Sequence, residues 1–459
     1  MSRARVLIFL VAAVAAVAAV PACSFRSPSA TGDGSIGDDD APDAGSGRCD
    51  LPDTWEAGKQ PTKTIYVSKT AGPDTPDGSQ TNPYISLDDA AAAITAGTKI
   101  VLGPGNFAGA TFTDKRGTAD APIWLEGSTG GSPSRINSDG LHLVGAQYWV
   151  IRNLAIGSFN GEPGLNVDDT SGAGKSHHIV VDRVNVGSTD RPCLQFSGVT
   201  DVTIRDSTLG SCERGVFLVG VQRATIGRAT IGSMQSSGIA MAGGSADIEV
   251  RQSTISDVPN GRGLWIGGDS DADEFRPPLS ALSGNTEATN VRVFDNVIFS
   301  VKDAIECSIC TNTLVAHNLL RGVTRDVLNL YQPYTAIVPH NFARSGGVRL
   351  VNNAIEVGGG GLAVYEGNNT DPGSCSFSHN MWYRSSGTWM PTLPVTEEAG
   401  IYDKQSGYTD KGSLCASANS PAAAAGASVP GVPGTLQGAC RPTSPPPPSI
   451  GPSEPDSGC

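Results

Sequence analysis

The chain has 459 residues, of which 39% are hydrophobic and 17% charged, and its formal net charge is −13. That acidity argues against nucleic acid or an anionic lipid headgroup as partner, because both carry the same sign of charge. Gly (57) and Pro (31) are frequent, and there are ten Cys.

Arg3 and Arg5 precede an apolar run from Val6 to Val20, and Val20-Pro21-Ala22-Cys23 follows. This is the layout of a secretory signal. The run is too short and too rich in Ala for a comfortable membrane span. With Cys23 directly after small Ala22, the segment resembles the lipobox of bacterial lipoproteins, although Val20 and Pro21 depart from its usual form. The resemblance implies cleavage after residue 22, a diacylglyceryl group on Cys23, and an exported, membrane-anchored protein at the outer membrane or cell surface. Ordinary secretion with cleavage elsewhere is the alternative. Residues 23–60 are Gly, Ser, Asp and Pro around Asp38-Asp39-Asp40, too polar to offset their ordering entropy, and are expected to form a disordered acidic tether. The tether carries −5 and the leader +2, which leaves −10 on the remainder.

The body is expected over 61–400. It opens with a strand at Thr64-Ile65-Tyr66-Val67-Ser68, then a short helix that begins at Ser86, with Asp89 three residues on as a capping partner and Gly97 as the stop. Such a helix would cover the open end of a solenoid, where backbone and apolar surface are exposed. Strands follow at Lys99 to Leu102, Pro122 to Glu126 and Leu141-His142-Leu143-Val144. A phrase then recurs, with starts at Ile151, Val181, Ile204, Ile226, Val250, Val293, Val315, Leu350 and Phe377. Four of the eight steps between starts are 22 to 24 residues, and an apolar-x-apolar segment, often opened by Gly, recurs after the phrase. Two short strand-like phrases per period, with no helix between them, indicate coils of a parallel β-helix.

Residues 65–107 resemble the opening of right-handed β-helix proteins of the pectate-lyase-like superfamily. Residues 420–432 and 434–454 are similar to the closing run of such chains and open a Pro-rich C-terminal tail at 401–459. The resemblance implies an all-β, right-handed parallel β-helix (solenoid) with a short N-terminal capping helix. The group includes pectate, chondroitin and alginate lyases as well as many repeat proteins without a known activity, so the fold alone does not name the chemistry.

In the second phrase of each coil, strand alternation turns the middle residue outward. These residues form a ladder, Asn166, Gln195, Phe217, Ala240, Trp265, Glu306, Asn329 and Ala363, at about 4.8 Å per coil. An indole beside amides and a carboxylate has the composition of a sugar-binding surface, unless an inserted loop buries Trp265. Two residues earlier in each coil runs a charged ladder: Arg191, Glu213 with Arg214, Arg262, Lys302 with Asp303, and Arg325 with Asp326. These could be solvated turn residues in surface ion pairs. They could also meet a uronate, because β-elimination needs a carboxylate neutraliser and a base for the C5 proton. Lys302 or Arg325 is then the candidate base. Asp303, Asp326 and Glu306 are candidate Ca²⁺ ligands, a role that clustered Asp residues fill in the Ca²⁺-dependent lyases the sequence resembles. That cluster has no residue-by-residue match here.

Insertions at about 168–177, 267–290 and 331–347 all leave after the second phrase and are expected to wall one side of a groove. The middle one carries Asp269, Asp271 and Asp273, alternating acids that resemble the start of a Ca²⁺ loop without the rest of an EF-hand, or simply a solvated acidic loop. Cys193 with Cys212, 19 residues apart, could bridge neighbouring coils, and Cys415 with Cys440 could staple the tail. Cys307-x-x-Cys310 lacks the second ligand pair of a metal site. The expected function is engagement of an extended polysaccharide along the ladder by Trp265, Asn329, Gln195, Arg262 and Asn166, with lyase chemistry around Lys302, Asp303, Glu306, Arg325 and Asp326. A non-catalytic surface scaffold or adhesion protein is the rival.

Overall fold

A computed structural model describes residues 49–455 apart from 71, 73, 158, 170–175, 269, 282–283, 359, 409–413, 415 and 444–445. The leader, Cys23 and most of the expected tether lie outside the described residues. Among the described residues no helix is long and apolar enough to cross a membrane.

The nine phrase starts form one continuous inward column. Ile151 pairs Val181, which pairs Ile204, and the series runs through Ile226, Val250, Val293, Val315 and Leu350 to Phe377. Ile65, Ile100 and Leu125 extend it toward the N-terminus, giving a 12-stranded parallel sheet among the described residues. An 18-stranded sheet carries the short strands such as Asn185–Gly187 and the ladder strands such as Leu194–Ser197, and Ala336–Ile337 pairs His340–Asn341 in a separate two-stranded sheet. All are packed around one buried apolar core. The helix Leu87–Ala91 has the capping box expected of Ser86 and Asp89, and it adds Leu87 and Ala90 to that core.

The third residue of each phrase makes the corner. Asn153, Arg183, Asp206, Arg228, Gln252, Asp295, His317, Asn352 and His379 all have φ between 50° and 58°. A left-handed residue turns the chain within one step at a steric cost, and nine non-Gly residues accept it in register. The next residue points inward and resolves the corner's polarity. Asn296 Nδ2 donates to Asn318 Oδ1 (3.0 Å), Asn318 to Asn353 (3.0 Å), Asn353 to Asn380 (2.9 Å), and Asn380 to Glu397 (2.8 Å). Each Oδ1 also accepts the backbone N–H of the Asn or Ser one coil earlier, so these buried amides are paired on both sides.

The ends of the body depart from the sequence reading. Residues 49–60 belong to a strap that packs on the outside of the 12-stranded sheet, where Trp55 covers Trp124, Val150 and Val180 and sits edge-on to Tyr148 at 5.3 Å. Residues 49–60 are therefore not part of a disordered tether, because this outward apolar stripe gives Trp55 a surface to bury. Residues 401–455 are also docked: Tyr408, Ala422 and Ile450 bury against Val297, Leu319, Ala354 and Met381. Cys440 is bridged to Cys49, 391 residues away, and not to Cys415, which lies outside the described residues. Cys193–Cys212 forms as the coil spacing suggested, Cys307 and Cys310 are bridged to each other, and Cys375 is a buried free thiol.

Candidate functional site

The outward ladder follows the sequence alignment from Asn166 through Gln195, Phe217, Ala240, Trp265 and Glu306 to Asn329. The next rung differs. Asn329 pairs Tyr365, while Ala363 is buried in the core. The Gly-rich stretch before Leu362 delays the strand by two residues, so Val364-Tyr365-Glu366 takes the place assigned to Leu362-Ala363-Val364. Toward the N-terminus the ladder gains His142, in register with Asn166, and His142 Nε2 lies 2.5 Å from Asp168 Oδ2. The apolar-x-apolar pattern of Leu141-His142-Leu143 was the available signal for this rung.

The charged ladder is also in register: Arg262 pairs Asp303, and Asp303 pairs Asp326. These rungs meet the outward ladder in a cleft of about 510 Å³, lined by Arg262, Glu306, Arg325, Asp326, Asn329, Tyr331, Leu362 and Tyr365. Glu306 is buried at its floor. Its Oε2 accepts from Arg262 Nε (3.0 Å) and Asn329 Nδ2 (2.9 Å), and its Oε1 from Ser308 Oγ (3.2 Å). Asp303 is buried under the Arg325 guanidinium, which donates from Nε (2.7 Å) to Oδ1 and from Nη2 to Oδ2. Tyr331 (46% exposed) and Tyr365 (47%) stand open at the rim, with Leu362 beside them.

Asp326 is the perturbed group. It is buried, its Oδ2 lies 3.0 Å from Arg325 Nε, and its Oδ1 has no hydrogen-bond partner. Burial first, and then the neighbouring Asp303 carboxylate, push its titration up to about 6 against the pull of Arg325. Asn329 Oδ1 is a second buried acceptor without a partner in the cleft. Arg325 titrates above the ordinary guanidinium range: burial works against this, but the hydrogen bond and charge of Asp303 outweigh it. It therefore stands as a fixed cation.

The other expected residues are distributed along the ladder. Trp265 is half-buried, covered by guanidinium groups and not by a loop: Arg262 lies 4.5 Å and Arg214 5.6 Å from its ring centre. Asn166 and Gln195 line a separate recess of about 260 Å³ with Asp168, Asp273 and Arg276, about 24 Å from Glu306 at five ladder steps. Lys302 adjoins Asp303 in the strand but is not among the residues that line the cleft. Asp269 lies outside the described residues. Asp271 and Asp273 sit on an exposed 3₁₀ turn where the Asp271 N–H donates to Glu274. Among the described residues no group of three or more His, Cys, Asp or Glu is placed to hold a metal ion. The middle and last insertions pack on each other through Phe275, Phe342 and Tyr334, and the Tyr334 hydroxyl donates to Glu287, so neither folds over Trp265. His340 donates to the Ser280 carbonyl within the same pair of loops.

No family model and no curated protein matches the chain. Solved structures do. A rhamnogalacturonan lyase is similar at 10% identity with a TM-score of 0.50, over 72% of this chain and 90% of that one. The pectate lyase Pel9A is similar at 14% identity and TM-score 0.48 over 86% and 97%, and the alginate lyase from Paenibacillus sp. str. FPU-7 at 16% and 0.42 over 68% and 99%. At 10% identity the likeness to the rhamnogalacturonan lyase bears on the fold alone. The protein is a right-handed parallel β-helix.

Proposed function

We propose that the protein binds an extended acidic polysaccharide along its outward ladder and acts on it by β-elimination at the Asp326 cleft. The observation that carries this reading is a buried carboxyl, Asp326, that titrates near 6 beside a fixed cation, in an open cleft whose lining includes two exposed tyrosines. Arg325 and Arg262 would neutralise a uronate carboxylate, which acidifies C5–H. Asp326, ionised above about pH 6, would take that proton. The electron pair forms the C4–C5 double bond as the C4–O bond breaks, and the leaving oxygen takes a proton from water in the open cleft. The base role expected of Lys302 or Arg325 thus passes to Asp326. Tyr331 and Tyr365 offer faces for pyranose rings, and Asn329 Oδ1 an acceptor for a hydroxyl. Export with a lipid anchor at Cys23 belongs to the same proposal, and mass spectrometry of the native protein tests it.

The test is ultraviolet absorbance of the unsaturated product from pectate, alginate and chondroitin, with and without Ca²⁺. A rise lost in Asp326→Asn, with a rate that climbs as pH passes about 6, supports the reading. Glycan binding lost in Tyr365→Ala without any product would reduce the protein to a binding module. Neither product nor binding would leave the scaffold.

A further inference from the structure

A second recess of about 450 Å³ lies between the outer face of the 12-stranded sheet and the strap, which roofs it at residues 56–61. Four cations from four separate segments face into it: Lys59 from the roof, and Lys99, Arg152 and Arg205 from three strands. Their neutralisation is incomplete. Lys99 and Arg152 share one carboxylate, Glu126 Oε2, at 2.6 and 3.1 Å. Arg205 lies 3.7 Å from Glu56 and 3.6 Å from Asp182, beyond hydrogen-bond reach of both, while Asp182 is held by Arg183 at 2.7 Å. Among the described residues Lys59 meets the exposed Asp120, at 3.9 Å, and the Ala119 carbonyl. In a chain of net charge −13, this local surplus of positive charge runs against the overall balance.

The unpaired polar atoms point the same way. Arg152 Nε and Arg205 Nε are buried donors without a hydrogen-bond partner, and Glu56, itself 7% exposed, has a buried Oε2 that accepts nothing. Three such atoms gather around this one recess, and a ligand that supplies both kinds of partner would satisfy them. A simple anion would satisfy the arginines and repel Glu56. A hydroxylated anion satisfies both, its carboxylate on the cations and a hydroxyl donating to Glu56. Thr64 and Tyr66 add neutral polar groups to the wall, and the volume suits one or two sugar units. We propose that this recess is a binding site for a small acidic saccharide, distinct from the Asp326 cleft and independent of its chemistry.

The test is calorimetric titration of the full-length protein with glucuronate and galacturonate, against glucose and inorganic phosphate. The uronates are expected to bind, and glucose and phosphate to bind at least about ten-fold more weakly, the difference made by one charge-assisted hydrogen bond. Lys59→Gln and Lys99→Gln should each weaken uronate binding by about that factor. Lys99→Gln keeps Glu126 paired with Arg152, so it serves if Lys59→Gln loosens the strap, which the melting curve reads. No uronate binding, or binding indifferent to both lysines, overturns the site. Loss of binding in Asp326→Asn reassigns it to the cleft. Phosphate binding as tight as the uronates overturns the saccharide assignment.

Discussion

Replacement of Asp326 by Asn should make the protein more stable at neutral pH and not at acid pH. In the folded state Asp326 titrates at about 6, against an ordinary value of 3.8. Folding therefore favours the protonated form. Below pH 3.8 the carboxyl is protonated folded or unfolded and carries no penalty. The penalty grows between 3.8 and 6 and is complete above 6, where a shift of about two units corresponds to about 3 kcal/mol. Asn cannot ionise, so it escapes this cost, and its amide can donate to Asp303 as the protonated acid would. Arg325 loses one partner but keeps its fork on Asp303, a loss of about 1 kcal/mol. The net gain is about 2 kcal/mol at pH 7.5, which for a body of about 400 residues raises Tm by about 2–3 °C. Differential scanning calorimetry of variant and wild type at pH 4 and 7.5 reads the difference, and acid effects common to both cancel. A gain of equal size at both pH values, or a larger one at pH 4, would falsify the electrostatic account of Asp326. The same substitution should abolish any lyase activity, the trade of stability for function expected of a perturbed acid.

Asn318→Ala removes a side chain that accepts from Asn296 and donates to Asn353 and the Val293 carbonyl, so it should destabilise by about 2–4 kcal/mol in chemical denaturation. Tyr365→Ala should weaken glycan binding about ten-fold at unchanged Tm, because the ring is exposed and packs on sugar only when sugar is present. Cys49→Ser opens a crosslink across 391 residues and should cost about 3–5 kcal/mol, with tryptic cleavage at Lys59 in the freed strap as the direct readout.

The inward half of this protein was legible because it is local and repeats. Each phrase begins with an apolar residue that must face the core, so nine starts read from the sequence fall on one column from Ile151 to Phe377. The outward ladder follows by alternation wherever that phase holds, which is why Glu306 and Asn329 were placed and Tyr365 was not. At Leu362 the apolar pattern allows two phases, and only pairing with Asn329 selects one. The strap was hidden for another reason. Trp55 and Cys49 carry no periodic signal, and their partners, Val150 and Cys440, are distant in the chain. Lys302 does not line the cleft, whereas the adjacent pair Arg325 and Asp326 both do, so adjacency in the chain did not decide which charged residues reach it.

The same shift of phase at Leu362 accounts for the charge balance of the cleft. Along both sheets an acid is met by an arginine on an adjoining coil: Asp201 by Arg223, Asp206 by Arg228, Asp303 by Arg325, Glu306 by Arg262, Glu356 by Arg321. Such pairs cancel one another and hold coil to coil. Asp326 breaks the series: its register partners are Asp303 on the preceding coil and Leu362 on the following one, and neither offers a cation. Arg325 must then serve two carboxylates. Its fork goes to Asp303, and Asp326 keeps one contact and one unpartnered oxygen. A buried acid short of half a cation is what raises its titration toward neutrality, and the insertion after Leu330 leaves Tyr331 at the rim of the space beside it. An arginine at position 362 would restore the series, bring Asp326 back toward the ordinary carboxylate range, and remove the proton acceptor from the cleft. The perturbed acid on this solenoid therefore lies where its repeat fails.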